Sequence, residues 1–256
     1  FKATAIETGF RGDTVVIKLN VPIIQNDEQV ITKPEPLLMK HYIKGVAIRY
    51  TTDGTDPDSL HSPVYKGDVM IDKKETVRAK AFKPGWISSD VVEKIFYKAG
   101  VLPDSVELIN QPDPQYKGQG ASTLDDGKLG SLNYRDGMWL GYRVEPLEAL
   151  FYFNNEAKVS SVTISSVVDI NGYLMPPQEI EVWGGNNKTS LRLLKRFQPK
   201  QPSKVKPTYL TSYDVIFPPS EIKVLKLVLK PVSKLPAWHR GKAEKGWIFT
   251  DEVFLN

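Results

Sequence analysis

Apolar residues recur at every second position in short runs along almost the whole chain, and no stretch holds a helical period for three turns. Val15, Ile17 and Leu19 keep this spacing, as do Val46, Ile48 and Tyr50, while Val77, Ala79 and Ala81 alternate with Arg78 and Lys80. Further on, Leu147, Ala149, Phe151 and Phe153 repeat the pattern, followed by Val162 and Ile164. A period of two sends successive side chains to opposite faces, which is the mark of a half-buried strand. Asp53-Gly54, Asp56-Pro57, Lys66-Gly67 and Lys83-Pro84-Gly85 break the early runs with turn chemistry. The chain is therefore all-β.

Its 256 residues suit two ordinary domains. Residues 1–100 read as a small immunoglobulin-like β-sandwich in which Pro22–Leu38, rich in prolines and polar residues, is a long loop. After the connector Val101–Asp104, residues 103–256 carry many short strands, among them Ile180–Trp183, Leu191–Leu194, Tyr213–Phe217, Val224–Leu229 and Trp247–Leu255. A sandwich or jelly roll accounts for them, with a core from Phe151, Phe153, Val162, Ile164, Leu225, Leu227, Leu229 and Phe249. In the first domain Asp53, Asp56 and Asp58 crowd together, but not at EF-hand spacing, so they read as turn formers.

Leu124–Tyr142, LDDGKLGSLNYRDGMWLGY, interrupts the strand pattern. Two Asp-Gly turns flank Asn133-Tyr134-Arg135, and Trp139-Leu140-Gly141-Tyr142 follows. So much glycine, acid and aromatic character makes an ordered loop rather than a regular element, and such loops on a β scaffold are where binding concentrates.

Two stretches resemble known families. Tyr50-Thr51-Thr52-Asp53-Gly54-Thr55-Asp56-Pro57, then Ser62 and Tyr65, then Val77–Ala81, resembles the C-terminal β-sandwich of chitobiases and β-hexosaminidases, also called the fibronectin-III-associated domain. That implies a non-catalytic spacer. Thr123–Ser131 with Asp136–Tyr142, the loop Trp238-His239-Arg240-Gly241 and the closing Gly246–Val253 together resemble the discoidin-like (coagulation factor type C) module of bacterial glycoside hydrolases. That implies an eight-stranded jelly roll presenting a carbohydrate site on loops at one end.

The second resemblance also implies a structural calcium ion, held by Asp126, Ser131 and Glu252 with carbonyl oxygen from Leu124. It would pin the interrupting loop to the last strand, although Lys128 stands where a further acid is common. The plainer alternative makes Asp126 a turn former and Glu252 an exposed strand residue. Sugar binding needs an aromatic face with polar groups to fix hydroxyls; Trp238, His239 and Arg240 offer both, and Tyr134 and Trp139 are further candidates. Trp139 reads equally as a core anchor.

The composition excludes several classes. There is no cysteine, hence no disulfide, thiolate nucleophile or cysteine-held metal. A net charge of +4 is spread without a basic block, which argues against nucleic acid as a partner. No apolar run reaches the ~20 residues of a membrane span, and the loops lack the apolar tips that membrane insertion needs. No hydrolase motif is present, and the three histidines lie far apart in sequence. The expectation is a monomeric, non-catalytic accessory region of an extracytoplasmic bacterial glycan-processing protein of chitobiase or β-hexosaminidase type, binding galactose- or N-acetylhexosamine-containing glycans. The chain opens without methionine and reads as a piece of something longer. The alternative is an adhesion or scaffolding region whose partner is a protein.

Overall fold

The computed structural model describes residues 17–256. Val15 lies outside them. The chain divides into a unit ending at Tyr97 and a unit Lys98–Asn256.

In the first unit, β5 (Ala47–Thr51), β7 (Glu75–Phe82) and β8 (Val92–Lys98) pair antiparallel, and β2 (Val30–Ile31) extends the sheet to the order β2-β8-β7-β5. Strand β7 alternates buried and half-buried residues without a break from Glu75 to Phe82, as its sequence period requires. Two ribbons, β1 (Ile23–Ile24) with β4 (Met39–Lys40) and β3 (Glu35–Pro36) with β6 (Met70–Ile71), complete the sandwich. Its core holds Ile31, Leu37, Met39, Ile48, Ile71, Val77, Ala79 and Phe96. Pro22–Leu38 is thus not one long loop. It holds three two-residue strands, Ile23–Ile24, Val30–Ile31 and Glu35–Pro36, each too short to show a period. Asp53 and Asp58 do make turns: Asp53 Oδ1 accepts from the Thr55 amide and hydroxyl, and Asp58 Oδ1 from the amides of Leu60 and His61.

In the second unit, β9 (Ser105–Leu108), β10 (Leu140–Tyr142), β12 (Glu179–Gly185), β13 (Arg192–Phe197) and β15 (Ile248–Leu255) flank two 22-residue strands, β11 (Leu147–Val168) and β14 (Tyr209–Lys230). The first half of β11 lies between β9 and the second half of β14, which continues into β12 and β13. The second half of β11 lies between the first half of β14 and β15, with β10 at the edge. Both long strands therefore pass from one layer to the other, and the crossing has a sequence cause. Register shifts separate Tyr152 from Ala157 and Val159 from Ser161. Opposite the second shift lie Pro218 and Pro219, which have no N–H to give to the ladder.

Between the layers Phe151, Phe153, Val162, Ile164, Leu225, Leu227 and Leu229 form one core, as their alternation predicts. Each such side chain contributes about 1.5–3 kcal/mol on burial. Phe249 is also fully buried but belongs to a smaller cluster with Trp139, Val167 and Leu174 beneath the loops. The result is the jelly roll that the strand pattern implied.

Candidate functional site

Three loop segments of the second unit converge over that smaller cluster. The first comprises the 3-10 turn η1 (Gly120–Leu124), the preceding Tyr116 and the stretch 124–142. Tyr116 is placed by backbone bonds that clip the loop to β10: the Asp113 amide donates to the Gly141 carbonyl and the Gly141 amide to the Tyr116 carbonyl. Short polar side chains shape the rest. Asp126 Oδ1 accepts from the Lys128 amide, and Asp136 accepts from the Met138 amide and from both the amide and hydroxyl of Ser131. Gly127 and Gly137 take positive φ, where a side chain is strained.

Strand β15 holds this loop directly. Glu252 Oε2 accepts from the Gly127 amide at 2.8 Å, and Asp251 Oδ2 accepts from the Gly130 amide. Both carboxylates are buried. Burial, reinforced by the charges of Asp126, Asp251 and Asp125, pushes Glu252 up to about 8. Burial likewise raises Asp251 to about 7 and outweighs its hydrogen bonds with Ser165 and backbone amides. Asp125 is raised by burial and by Asp126. The second oxygen of Asp251 has no close hydrogen-bond partner.

Burial thus disfavours the charged forms of Asp125, Asp251 and Glu252, a penalty that a hard cation nearby would relieve. Of the residues expected to hold calcium, Glu252 lies at this tie through the Gly127 amide, and the charge of Asp126 acts on it. Ser131 does not join them: its hydroxyl donates to Asp136 and accepts from the Asn133 amide. Among the described residues no three His, Asp or Glu side chains converge as a cage. Carbonyl oxygens would have to supply much of the coordination.

The second segment is the turn 169–174, where Tyr173 adopts φ +69 and the Leu174 amide returns to the Asp169 carbonyl. The third is 235–246. Here Trp238 is 39% exposed, whereas His239 is buried. His239 Nε2 donates to the Ile170 carbonyl at 2.6 Å, and Nδ1 accepts from the Gly241 amide at 2.9 Å, which places the ring proton on Nε2. Arg240 stacks over Tyr173, 5.5 Å from the ring centre, and donates to the Asn171 carbonyl. A Cβ on Gly241 would lie within 2.7 Å of the Tyr173 ring, so only glycine lets that ring settle there.

The segments meet through aromatic contacts. Tyr134 lies 5.4 Å from Phe249 and 6.2 Å from Tyr116, and Tyr116 lies 5.5 Å from Trp247. Arg135 stands over Tyr134 and hydrogen-bonds to Tyr116 and Tyr134, which raises its pKa. Arg143 stands over Trp247 and pairs with Glu244. Tyr134 and Asp169 both reach Gly172: a Cβ there would come within 3.0 Å of the Tyr134 hydroxyl and 3.1 Å of the Asp169 carboxyl carbon. This end of the unit therefore offers an indole, phenol rings, guanidinium groups and one carboxylate, suited to gripping a polyol by stacking and charge-assisted hydrogen bonds.

Of the five residues expected to touch sugar, Trp238, Arg240 and Tyr134 lie on this surface. Two expectations need correction. Trp139 is only 1% exposed and packs on Val167, Leu174 and Phe249, so it is the core anchor and has no free face. His239 has both ring nitrogens committed within the fold, so it positions the 235–246 loop. Sequence reasoning missed Tyr173, Asp169 and Tyr116. Asn171-Gly172, a turn dipeptide beside an aromatic, was the available signal for the first two.

Residues 37–96 match the family model described as Fn3 associated. Among curated proteins, none matches the chain. Solved structures that are similar include the CBM32 of AlyQ in complex with 4,5-unsaturated mannuronic acid, at 14% identity and TM-score 0.37, covering 60% of this chain and 95% of that one. CpGH89CBM32-5 from Clostridium perfringens, in complex with GalNAc-beta-1,3-galactose, is 11% identical with a TM-score of 0.36 and coverages of 59% and 93%. The family 32 CBM from C. perfringens NanJ, in complex with galactose, is 14% identical with a TM-score of 0.38 and coverages of 59% and 91%.

Proposed function

We propose that the second unit is a carbohydrate-binding module and that the chain is a non-catalytic accessory region of a glycan-processing protein. The convergence of exposed Trp238 with Tyr173, Arg240, Tyr134 and Asp169 at one loop end carries this reading. A ring face covers the C–H side of a sugar, guanidinium groups and a carboxylate select its hydroxyls, and His239 keeps the loop from collapsing onto them. Galactose- and N-acetylhexosamine-containing glycans are the ligands to try. In this reading the parent is of chitobiase or β-hexosaminidase type, acts outside the cytoplasm and carries this chain as a monomeric appendage; the Fn3-associated match over residues 37–96 supports the accessory character of the first unit. No helix among the described residues is long and apolar enough to cross a membrane. Weak affinity would suffice, because tethering raises the local concentration of the partner domain on its polymer.

A calcium ion belongs to the same reading, held by Asp126, Glu252 and carbonyl oxygens of the loop at Leu124. It would supply positive charge to carboxylates that burial leaves uncompensated.

A glycan array of the purified chain, with and without chelator, tests the function. Trp238→Ala is expected to abolish binding of any hit while leaving the melting temperature within about 1–2 °C, since a half-exposed side chain carries little of the core. Silence across galactose and N-acetylhexosamine ligands from a folded sample would refute the assignment.

A further inference from the structure

The first unit carries a groove of about 660 Å³. One wall is the segment 17–20, held by backbone bonds from the Ile87 amide to the Ile17 carbonyl and from the Leu19 amide to the Ile87 carbonyl. The other walls are two tight turns, 41–45 and 83–86. His41 fixes the first, with its Nε2 bonded to the Asn20 carbonyl and its Nδ1 accepting from the Ile43 amide. The second closes through the Trp86 amide to the Lys83 carbonyl, and Lys83 Nζ donates across to the Lys44 carbonyl at 2.8 Å. The groove is therefore braced by hydrogen bonds on every side.

Two features of its lining are unusual for an inert surface. Tyr42 is 80% exposed, and Trp86 lies half-buried across from it. Around these rings stand Lys40, Lys44 and Lys83. Lys40 Nζ lies 5.7 Å from the Tyr42 centroid and Lys83 Nζ 5.3 Å from that of Trp86. Among the described residues no acidic residue lines the groove or its continuation past Val21 and Ile23, and the neighbouring Asp90 is taken by Lys18 at 2.7 Å. None of Lys40, Lys44 and Lys83 makes an ion pair among the described residues.

We propose that this groove is a second binding site, for an acidic polysaccharide. The rings supply faces for the C–H side of pyranose units, and the ammonium groups of Lys40, Lys44 and Lys83, none of them neutralised by an ion pair among the described residues, supply counter-charge for carboxylate or sulfate substituents. The preference for a polysaccharide over another polyanion rests on the carbohydrate reading of the second unit, whereas the anion preference follows from the groove alone. Two sites in one chain on one polymer gain avidity without new contacts.

Affinity electrophoresis of the full chain separates the two readings. The matrices are gels containing polygalacturonate, dextran sulfate, uncharged dextran or single-stranded DNA. The chain is expected to be retarded by polygalacturonate or dextran sulfate, the better of the two identifying the anion, and not by dextran. Retardation should persist in Trp238→Ala/Arg240→Ala, which disables the other site. It should fall about tenfold in Lys44→Glu, the scale of one charge-assisted hydrogen bond, and comparably in Tyr42→Ala. Tyr42 and Lys44 are exposed, so both variants keep the fold, which circular dichroism checks. Three results would overturn the site: no retardation by either acidic polymer, retardation lost in the Trp238/Arg240 variant but unmoved by the groove variants, or a Tyr42→Ala chain that binds like the parent. Equal retardation by single-stranded DNA would overturn the polysaccharide assignment.

Discussion

The buried carboxylates of β15 make the stability of the second unit depend on pH in an unusual direction. The ordinary value for the Glu252 carboxyl is 4.5, and the fold raises it to about 8. Between those two pH values the folded chain holds a proton that the unfolded chain has released, so stability falls as pH rises. The contribution is fully present below about pH 4.5 and gone above about pH 8. At about 1.4 kcal/mol per pH unit, Glu252 alone accounts for at most about 5 kcal/mol. Asp251 acts in the same direction, but its charge is already part of what raises Glu252, so their effects do not add. Three pH units carry at most about 4 kcal/mol, and for a unit of this size about 2–4 °C accompanies each kcal/mol, so the melting temperature should drop by about 8–16 °C between pH 5 and pH 8 in chelator. Calcorimetric scans across that range measure it directly, and Glu252→Gln should remove most of the slope. Calcium at a hundred times its Kd should restore about 2.7 kcal/mol at pH 8 and little at pH 5, where the carboxyls hold protons instead. A midpoint that is flat or rises from pH 5 to pH 8 in chelator would refute the reasoning, as would a Glu252→Gln chain with the parental slope.

Gly130→Ala should destabilise the second unit by about 1–3 kcal/mol, because the new methyl would lie within 2.7 Å of Trp139 Cζ2, and neither the ring nor the amide held by Asp251 can retreat; denaturant titration gives the value. Glu181 accepts from Arg196, Lys230 and Trp183, and these bonds hold its carboxyl well below the usual range despite the opposing effect of burial. Glu181→Gln is therefore expected to cost about 1–3 kcal/mol at pH 7 and progressively less as the pH falls below about 4.5, where the parent loses the same contribution. Urea midpoints at pH 7 and pH 3 test that difference.

The core was legible because a strand buried on one face writes its orientation into every second residue. Phe151 and Phe153 face inward for the same reason that Leu225, Leu227 and Leu229 do. The loop end was legible only in composition. Trp238 and His239 are neighbours with the same apparent promise, yet one faces solvent and the other is fastened to Ile170, some seventy positions away. No local pattern distinguishes them. Trp139 is buried because Gly130 leaves a hollow that fits its indole, again a contact across sequence. Tyr173 escaped notice because its outward position depends on a positive φ within a turn, not on its neighbours' polarity. The tie between loop and last strand was expected through a metal, whereas carboxylate-to-amide hydrogen bonds already make it.

Those two hydrogen bonds join residues 125 and 121 positions apart. Strand β15, buried at all eight positions, also supplies the partner for β10 and for the second half of β11. A chain emerging from the ribosome can therefore build the β11–β14 ladder well before it can fix the loop that carries Tyr134. Closing so large a span is slow compared with zipping a hairpin. In refolding, tertiary packing around Phe151 should precede ligand competence by a resolvable interval, and a chain stopped before Ile248 should hold much of its sheet with the binding end still unmade.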